Sequence, residues 1–401
     1  MQLTHGIHLA YCTNIHRGET WAETLNGLEQ HTLAVQRRVS GGRPYAIGLR
    51  LSDAASRDLV EPKQLAAFKA WLQRHNAYVF TINGFPYGQF HGQRVKEQVY
   101  APDWTHPDRL AYTERLFQIL AALLPNGVSG SVSTVPVSFK GFHRTPRELK
   151  TARDQLWKCV DFLECLTRET GHDLHLGLEP EPLCHLETTS ECVTWFEELR
   201  ADRPGDLRLD THLGINYDTC HLAIQYERPQ EALARLQKAG IRVSKIHLSN
   251  ALSVHPTLEV RNALRSFADD IYFHQVIERR PSGEFIRYGD LDQALAADLS
   301  DAPELDREWR IHFHIPLHAS PTNVFSTTAD HLTGVLDAVK GAPALCQHFE
   351  METYTWEVMP SGMKNQNVVD QLAGEYDWTL SRFRERGFVP ISAIGSLPSP
   401  P

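Results

Sequence analysis

Short apolar runs alternate with longer amphipathic stretches along most of the chain. Each run has the length of a buried strand, and the stretches between them repeat apolar residues at the three- and four-residue spacing of helices. A strand followed by a helix, many times over, predicts a parallel sheet joined by helical crossovers. The nine strand candidates are residues 8–12, 45–51, 78–83, 130–138, 174–179, 213–218, 243–248, 311–316 and 345–352. The main helical patterns cover residues 21–39, 62–74, 108–124, 146–170, 190–200, 229–239, 326–339 and 367–386.

The number of strand candidates selects the architecture. Nine candidates with a helix after nearly all of them fit a closed (β/α)8 TIM barrel plus one extra segment better than an open sheet of five or six strands. We therefore predict an α/β fold with a single TIM-barrel domain over residues 1–390. The proline-rich tail at residues 391–401 carries too little apolar surface to pack.

Two stretches interrupt the strand and helix rhythm. Residues 251–310 contain a predicted β-hairpin, with strands at 272–280 and 284–288 and a turn at Pro281 to Gly283, and we expect this insertion to lie over the barrel mouth before the last strands. Residues 83–104 are rich in glycine and aromatic side chains and follow a strand, where TIM barrels keep their binding loops. This second stretch is predicted to form a wall or lid of a ligand pocket.

Composition narrows the class of partner. The 401 residues are 42% hydrophobic, enough for a proper core, and carry a net charge of −9. This balance argues against general binding to nucleic acid or anionic membranes and favours a small-molecule substrate. The first residues lack a basic segment followed by an apolar stretch, and no later run approaches the roughly 20 apolar residues of a membrane span, so we expect a cytoplasmic protein. Seven cysteines without a CxxC pair predict reduced thiols in the core.

Carboxylate and imidazole side chains close several of the predicted strands. They are Glu179 and Glu181 after one strand, Asp218 and His221 after the next, His247 at the end of the following one, and Glu350 with Glu352 at the end of the last. Because the carboxyl ends of barrel strands meet at one pole, these side chains are expected to converge there. Several carboxylates in one place repel each other unless a cation or basic side chains neutralise them, and Glu, Asp and His are ligands that divalent metals take. The pattern therefore points to a metal-dependent enzyme.

A third set of polar residues lies on the extra strand candidate. Arg310, His312 and His314 alternate along it, which puts the two imidazoles on one face. They fit another metal arm, a binder of phosphate or carboxylate together with Arg310, or a polar strand face, and the sequence does not choose among these.

In order and strand spacing, Glu179, Asp218 with His221, His247 and Glu352 resemble the xylose isomerase-like TIM barrels, the sugar isomerase and epimerase superfamily. Within that group, the longer strings at residues 8–21, 83–88 and 350–360 resemble most the metabolite traffic protein E family of bacterial ebo gene clusters. The resemblance implies a divalent metal, zinc, manganese or magnesium, held by Glu179, Asp218, His247 and Glu352. It places His221 behind the ligands or on the substrate. Glu350 also fits the final ligand position, and we choose Glu352 because it is nearer the end of its strand.

The resemblance implies an isomerase or epimerase acting on a small hydroxy-carbonyl, sugar-like metabolite, in the processing or export of a secondary-metabolite precursor. The ion would bind adjacent substrate oxygens. One of the two carboxylates, Glu179 and Glu352, would remove a proton and the other would return it, assisted by His221. The residues expected to contact the substrate are Asn14, His16, Asn83, His91, Lys96, Glu181, Arg310 and His314.

Two other functions compete with this one. A non-catalytic protein could keep the metal pocket in order to hold or hand over a metabolite. The string from Asp218 to His221 also resembles the signature of endonuclease IV-type phosphodiesterases. That reading is weaker, because the Asp-x-His expected for a three-metal cluster is missing and the acidic charge opposes DNA.

Overall fold

The computed structural model describes residues 1–88, 96–268, 272–300, 303–322, 324–354 and 367–391. Its strands are β1 His8–Tyr11, β2 Tyr45–Arg50, β3 Ala77–Asn83, β4 Gly130–Thr134, β5 Leu174–Leu178, β6 Leu213–Asp218, β7 Arg242–Leu248, β8 Asn250–Val254, β9 Val276–Arg279, β10 Phe285–Tyr288, β11 Glu308–Ile315, β12 Ser326–Thr327 and β13 His348–Met351. Eight of them form a parallel sheet in the order β1-β13-β7-β6-β5-β4-β3-β2. A parallel bridge from Cys12 to Gly48 brings the two edges together, so the predicted α/β TIM barrel is confirmed.

Helices follow most of the barrel strands. They are α1 Trp21–Gly27, α2 Leu33–Val39, α3 Asp53–Leu59, α4 Pro62–Arg74, α5 Pro107–Leu123, α6 Pro146–Thr170, α7 Thr189–Asp202, α8 Arg208–His212, α9 Thr219–Ile224, α10 Pro229–Lys238, α11 Leu258–Leu264, α12 Leu291–Leu295, α13 Ala329–Gly341 and α14 Val368–Arg384. The longest, α6, begins at a capping box between Thr145 and Glu148 and ends at Gly171 with a φ of 74°. Within the described ranges, no helix has the length and apolar content needed to cross a bilayer.

The insertion forms a second, antiparallel sheet. Its strand order is β10-β9-β11-β8-β12, and the predicted hairpin is present as β9 and β10, with Phe285 paired to Arg279. The extra strand candidate, residues 311–316, which did not fit the eight-stranded barrel, is part of β11 in this sheet. The sheet runs from Asn250 to Thr327 and so extends beyond the 251–310 segment predicted from the sequence.

A β-bulge distorts β11 where it faces the barrel. Ile311 pairs with Leu252 and Ile315 with Asn250, so three residues of β11 lie opposite a single residue of β8. Bulges turn side chains away from the regular alternation of a strand. This one lies at His312 and His314, both of which are buried.

Polar side chains fill much of the barrel interior. Lys245 and Glu350, on β7 and β13, form an ion pair inside it, with the Lys245 side chain 1% and the Glu350 side chain 0% exposed. Glycine at position 48 makes room for this pair, because a Cβ there would lie 2.0 Å from Glu350 Oε1. The seven cysteines are free thiols; six are buried, and Cys165 is exposed rather than packed in the core as the sequence suggested.

Candidate metal centre

Four strand ends position the four side chains chosen as metal ligands. Glu179 follows β5 and donates its backbone N–H to Thr134 O at 3.0 Å. Asp218 ends β6 and caps the N-terminus of α9, accepting the backbone N–H groups of Cys220 and His221 on Oδ1. His247 lies in β7 and Glu352 directly follows β13. All four belong to the carboxyl ends of the barrel strands, where TIM barrels carry their active sites.

The side chains of Glu179, Asp218, His247 and Glu352 converge. One candidate ligand atom from each lies within 4.8 Å of the others. His247 Nδ1 is 3.0 Å from Glu179 Oε1, 3.6 Å from Asp218 Oδ2 and 3.0 Å from Glu352 Oε2. The structure therefore brings Glu352, and not Glu350, to the other three. Their roles as ligands remain a prediction.

The donor set fits a divalent cation. Among the described residues, Glu179 Oε2 and Asp218 Oδ2 are buried oxygens without a hydrogen-bond partner. Burying a carboxylate oxygen without compensation is costly, and three carboxylates in one place repel each other. Two or three carboxylates with one imidazole suit zinc, manganese or magnesium. A cation among the four would relieve both the repulsion and the desolvation.

His247 is held in the orientation that a ligand needs. Its Nε2 lies 2.8 Å from Glu350 Oε2, and the same oxygen accepts a hydrogen bond from Lys245 Nζ at 2.7 Å. Burial raises the pKa of Glu350, but Lys245 and His247 outweigh it and bring the pKa to about 2. An ionised Glu350 fixes the proton of His247 on Nε2, which leaves Nδ1 to face the three carboxylates.

Sequence reasoning missed this support for His247. Lys245 precedes His247 by two residues on one strand, so both side chains face the same side. That alternation was readable in the sequence, whereas the pairing of β7 with β13, which puts Glu350 opposite His247, was not.

Two asparagines hold the other oxygen of Glu352. Asn14 Nδ2 and Asn83 Nδ2 donate to Glu352 Oε1 at 2.7 and 3.0 Å. These residues were predicted to contact substrate, and both also line the pocket described next. Their hydrogen bonds fix the rotamer of Glu352 and keep it ionised.

A pocket opens onto two of the four side chains, those of Glu179 and Glu352. It measures about 530 Å³ when the part open to solvent is included, and Glu179, Glu352 and Glu181 lie in its wall with aromatic residues that include Phe85, Tyr100 and Tyr354. Apolar walls with a few polar groups are typical of small-molecule sites. The residues at 83–88 and 96–100 contribute as the wall expected from the sequence.

Burial sets the acidity of Glu181. It raises the pKa of this carboxyl group to about 8, with Glu179 and Asp218 adding to the shift and His221 and the Tyr100 hydroxyl opposing it. Tyr100 Oη donates to Glu181 Oε1 at 2.9 Å. Glu181 therefore holds a proton more readily than Glu352, where burial raises the pKa but the neighbouring His247 outweighs it and lowers the pKa.

The other predicted substrate contacts divide into three groups. Lys96 lines the pocket and pairs with Asp290 at 2.6 Å, and His221 also lines it. Three others do not line this pocket: His16, Arg310 and His314. His16 forms a hydrogen bond with Tyr11 Oη, and His314 is buried. Arg310 lies two residues before His312 on β11, but its guanidinium is held by Glu308 and by the Ala223 carbonyl of α9. His91 is outside the described residues.

The barrel and the four converging side chains together define a TIM barrel with a candidate metal centre at the carboxyl ends of its strands. No family model matches the chain, and no curated protein sequence is detectably similar to it. Solved structures of xylose isomerase-like TIM barrels are similar in fold. One, from Mycobacterium smegmatis in complex with magnesium, shares 12% identity at a TM-score of 0.51, covering 95% of this chain and 97% of that chain.

Two other solved structures are also similar to this chain. An L-ribulose 3-epimerase matches at 10% identity and a TM-score of 0.49, covering 96% of each chain. The IOLI protein with a bound zinc atom matches at 13% identity and a TM-score of 0.48, covering 94% of this chain and 98% of that one. At such identities, likeness speaks to the fold alone, and what these proteins bind is a property of each of them.

Proposed function

We propose that this protein is a divalent-metal-dependent isomerase or epimerase acting on a small hydroxy-carbonyl compound of the sugar type. One observation carries the proposal: Glu179, Asp218, His247 and Glu352 converge within 4.8 Å, and Glu179 and Glu352 also line a pocket. A cation held by these residues would supply Lewis-acid polarisation of a substrate carbonyl. The pocket wall provides the apolar contacts and polar groups that orient a small ligand.

The two glutamates differ in how their carboxylate oxygens are held. Glu352 Oε1 accepts hydrogen bonds from two amide donors, and such bonds favour the ionised form. Glu179 directs Oε1 to His247 at 3.0 Å, while its Oε2 has no hydrogen-bond partner among the described residues. We assign removal of the proton next to the carbonyl to Glu179, because its second oxygen is the less stabilised as a carboxylate.

Return of the proton needs an acid on the same pocket. Glu181, whose pKa burial raises to about 8, lines the pocket with Glu179 and Glu352 and is the group best suited to carry the proton. Isomerisation through an enediolate and epimerisation next to a carbonyl both remove and return a proton, and carboxyl groups whose pKa values are set apart by their environments suit that task. Glu352 remains the second candidate for the returning group.

The test combines metal content with a substrate screen. The purified protein is analysed for bound metal and then offered ketoses, aldoses and their phosphates with zinc, manganese or magnesium. We expect turnover that falls by about 10²–10⁴-fold in Glu179→Gln, since general base catalysis contributes on that scale. Glu114→Gln on α5, a half-buried glutamate outside the pocket, serves as the matched control and should retain activity.

Other results would redirect the assignment. Tight binding of a sugar without turnover, with Glu179→Gln binding equally well, would contradict catalysis and support a carrier of metabolites. Hydrolysis of abasic DNA by the wild type but not by Glu179→Gln would support a phosphodiesterase instead.

A further inference from the structure

The inserted sheet starts on one side of the barrel mouth and reaches the other. It leaves the barrel at the end of β7, where β8 begins two residues after β7 ends. Around the closed barrel, β3 is the fourth strand from β7 in either direction, so the loop after β3 lies on the opposite side of the mouth. A contact between the inserted sheet and that loop therefore spans the mouth.

A buried ion pair makes this contact. Lys96 Nζ lies 2.6 Å from Asp290 Oδ2, and the two side chains are 9% and 12% exposed. Lys96 lies in the loop between β3 and α5, and Asp290 lies between β10 and α12 of the insertion. The ammonium group is also 5.5 Å from the centre of the Phe273 ring, within the range of a cation–π interaction. Because the pair is largely removed from water, loss of either partner would leave the other charge uncompensated.

Asp290 also fixes the segment of the insertion that lines the pocket. Its Oδ1 accepts the backbone N–H of His274 at 3.1 Å and that of Leu291 at 2.9 Å, while Oδ2 faces the ammonium group. The residues just before His274 are Tyr272 and Phe273, and both lie in the pocket wall, as does the lysine. One carboxylate therefore joins the wall that the insertion contributes to the wall that the barrel loop contributes.

Aromatic and amide side chains extend the same junction. Phe139, from the loop after β4, stacks on Tyr100 with ring centroids 4.6 Å apart and on Phe273 with centroids 5.9 Å apart. Gln275 Nε2 donates to Tyr100 Oη at 3.2 Å. Among the described residues, no strand of the inserted sheet pairs with a strand of the barrel. The junction across the mouth is thus made by side chains, which can separate without breaking the hydrogen bonds of either sheet.

The backbone at Lys96 is strained. Its φ is 33°, in the left-handed region that residues with a side chain seldom adopt. Such strain persists only where surrounding contacts impose it, and it is frequent in segments that clamp ligands or switch between two states. The ion pair with Asp290 is one contact that holds this conformation, so separation of the pair would let the loop relax.

We propose that the inserted sheet is a lid over the barrel mouth and that the ion pair between Lys96 and Asp290 is its latch. Separation of the pair parts the two walls of the pocket and opens a way for a small molecule to the buried Glu179 and Glu352. Lys96 is then a positioning residue held by a carboxylate of the protein, and not the substrate contact expected from the sequence. The latch goes beyond the proposed function and does not depend on it, because its test needs neither metal nor substrate.

The experiment measures amide hydrogen exchange in the full-length, metal-free protein without ligand. Peptides that cover residues 272–291 report on the latch, and peptides that cover β5 report on the barrel. We expect Lys96→Met, which keeps most of the side-chain stem, to accelerate exchange at 272–291 by about 10-fold or more, the ratio that a hydrogen bond to a charged group contributes to a local opening equilibrium. Exchange in β5 should not change.

Two further variants isolate the ion pair. Asp290→Asn keeps an oxygen for the two backbone N–H groups but removes the charge, and it should accelerate exchange at 272–291 as Lys96→Met does. The double variant should be no faster than either single one, since each removes the same interaction. Lys150→Met, which removes an exposed ion pair with Asp154 on α6, is the matched control and should exchange like the wild type.

Several results would overturn the latch. Unchanged exchange at 272–291 in Lys96→Met contradicts it and returns Lys96 to the role of a substrate contact. Equal acceleration in β5 shows a loss of global stability and not a local opening. The wild type alone supplies a test if the variants fail to fold: the amides of His274 and Leu291, which share Asp290 Oδ1, should have equal protection factors that are lower than those of β5. Protection equal to that of the barrel would show that the lid does not open by itself. Because neither metal nor substrate is present, a failure to find turnover would contradict the proposed function alone.

Discussion

Removing Lys245 should destabilise the barrel from within. Its side chain is 1% exposed, and its ammonium group has two partners among the described residues, Glu350 Oε2 at 2.7 Å and Ser133 Oγ at 3.0 Å. Lys245→Met keeps most of the side-chain stem and its packing but leaves the Glu350 carboxylate buried without its cation. The remaining hydrogen-bond donor to that carboxylate is His247 Nε2 at 2.8 Å.

The loss should be large. Breaking a buried ion pair on one side costs about 3–5 kcal/mol, because the other charge is left uncompensated. Replacing both partners with neutral residues is close to neutral in stability. We therefore expect Lys245→Met to lower the free energy of unfolding by about 3–5 kcal/mol and Lys245→Met/Glu350→Gln to recover most of it, since glutamine still accepts the His247 N–H.

The assay is urea unfolding of the metal-free protein, followed by circular dichroism, for the wild type, both single variants and the double variant. A double-mutant cycle then gives the coupling energy between the two side chains. A loss below about 1 kcal/mol for Lys245→Met, with no recovery in the double variant, would refute the argument that these residues form a buried ion pair.

Three further changes test neighbouring parts of the structure. Gly48→Ala should destabilise the fold by about 1–3 kcal/mol, because its Cβ would lie 2.0 Å from Glu350 Oε1. Gly341→Ala, with open space around the new Cβ, should leave the stability unchanged, and thermal unfolding compares the two variants. Glu350→Ala should weaken metal binding at the four-residue centre by about 10–100-fold in a competition titration, because His247 loses its orienting acceptor; unchanged affinity would contradict that role. Burial raises the pKa of Glu375 to about 7 in the folded protein. The contribution of this proton to the free energy of unfolding is therefore fully present below a pH of about 4.5 and falls by about 3 kcal/mol as the pH rises to about 7. Unfolding at both ends of that range should therefore show wild type losing stability relative to Glu375→Gln, and parallel pH profiles would contradict it.

The barrel was predictable because short strand-like runs alternate with amphipathic helical stretches along most of the chain. Strand ends were less accurate. The run at 130–138 predicts a long strand, but β4 ends at Thr134 because Pro136 cannot supply a ladder N–H and Val137 adopts a φ of 73°. Which sheet a strand joins is also absent from a local pattern. The segment 311–316 reads as a strand in either sheet, and pairing with β8 and β9 assigns it to the inserted one.

The four converging side chains could be predicted because parallel strands in a barrel carry their carboxyl ends to one pole. Contacts that depend on register or on loops could not. His16 instead stacks on His31, with ring centroids 4.6 Å apart. His312 and His314 were recognised as a pair on one strand face, but their contact with His221 depends on how the inserted sheet lies against α9, which a local sequence pattern does not show.

Asp218 links the four-residue centre to the buried histidines His221, His312 and His314. Its Oδ1 accepts hydrogen bonds from the backbone N–H groups of Cys220 and His221 and from Ser249 Oγ, which fixes both the carboxylate and the turn that carries His221. Its Oδ2 is left for the four-residue centre, 3.6 Å from His247 Nδ1. One turn sets the position of the Asp218 carboxylate in the four-residue centre and of the His221 imidazole. A shift of this turn would therefore move both side chains. The geometry of the four-residue centre and that of the three histidines are therefore expected to vary together. The cap of α9 is the element that couples them.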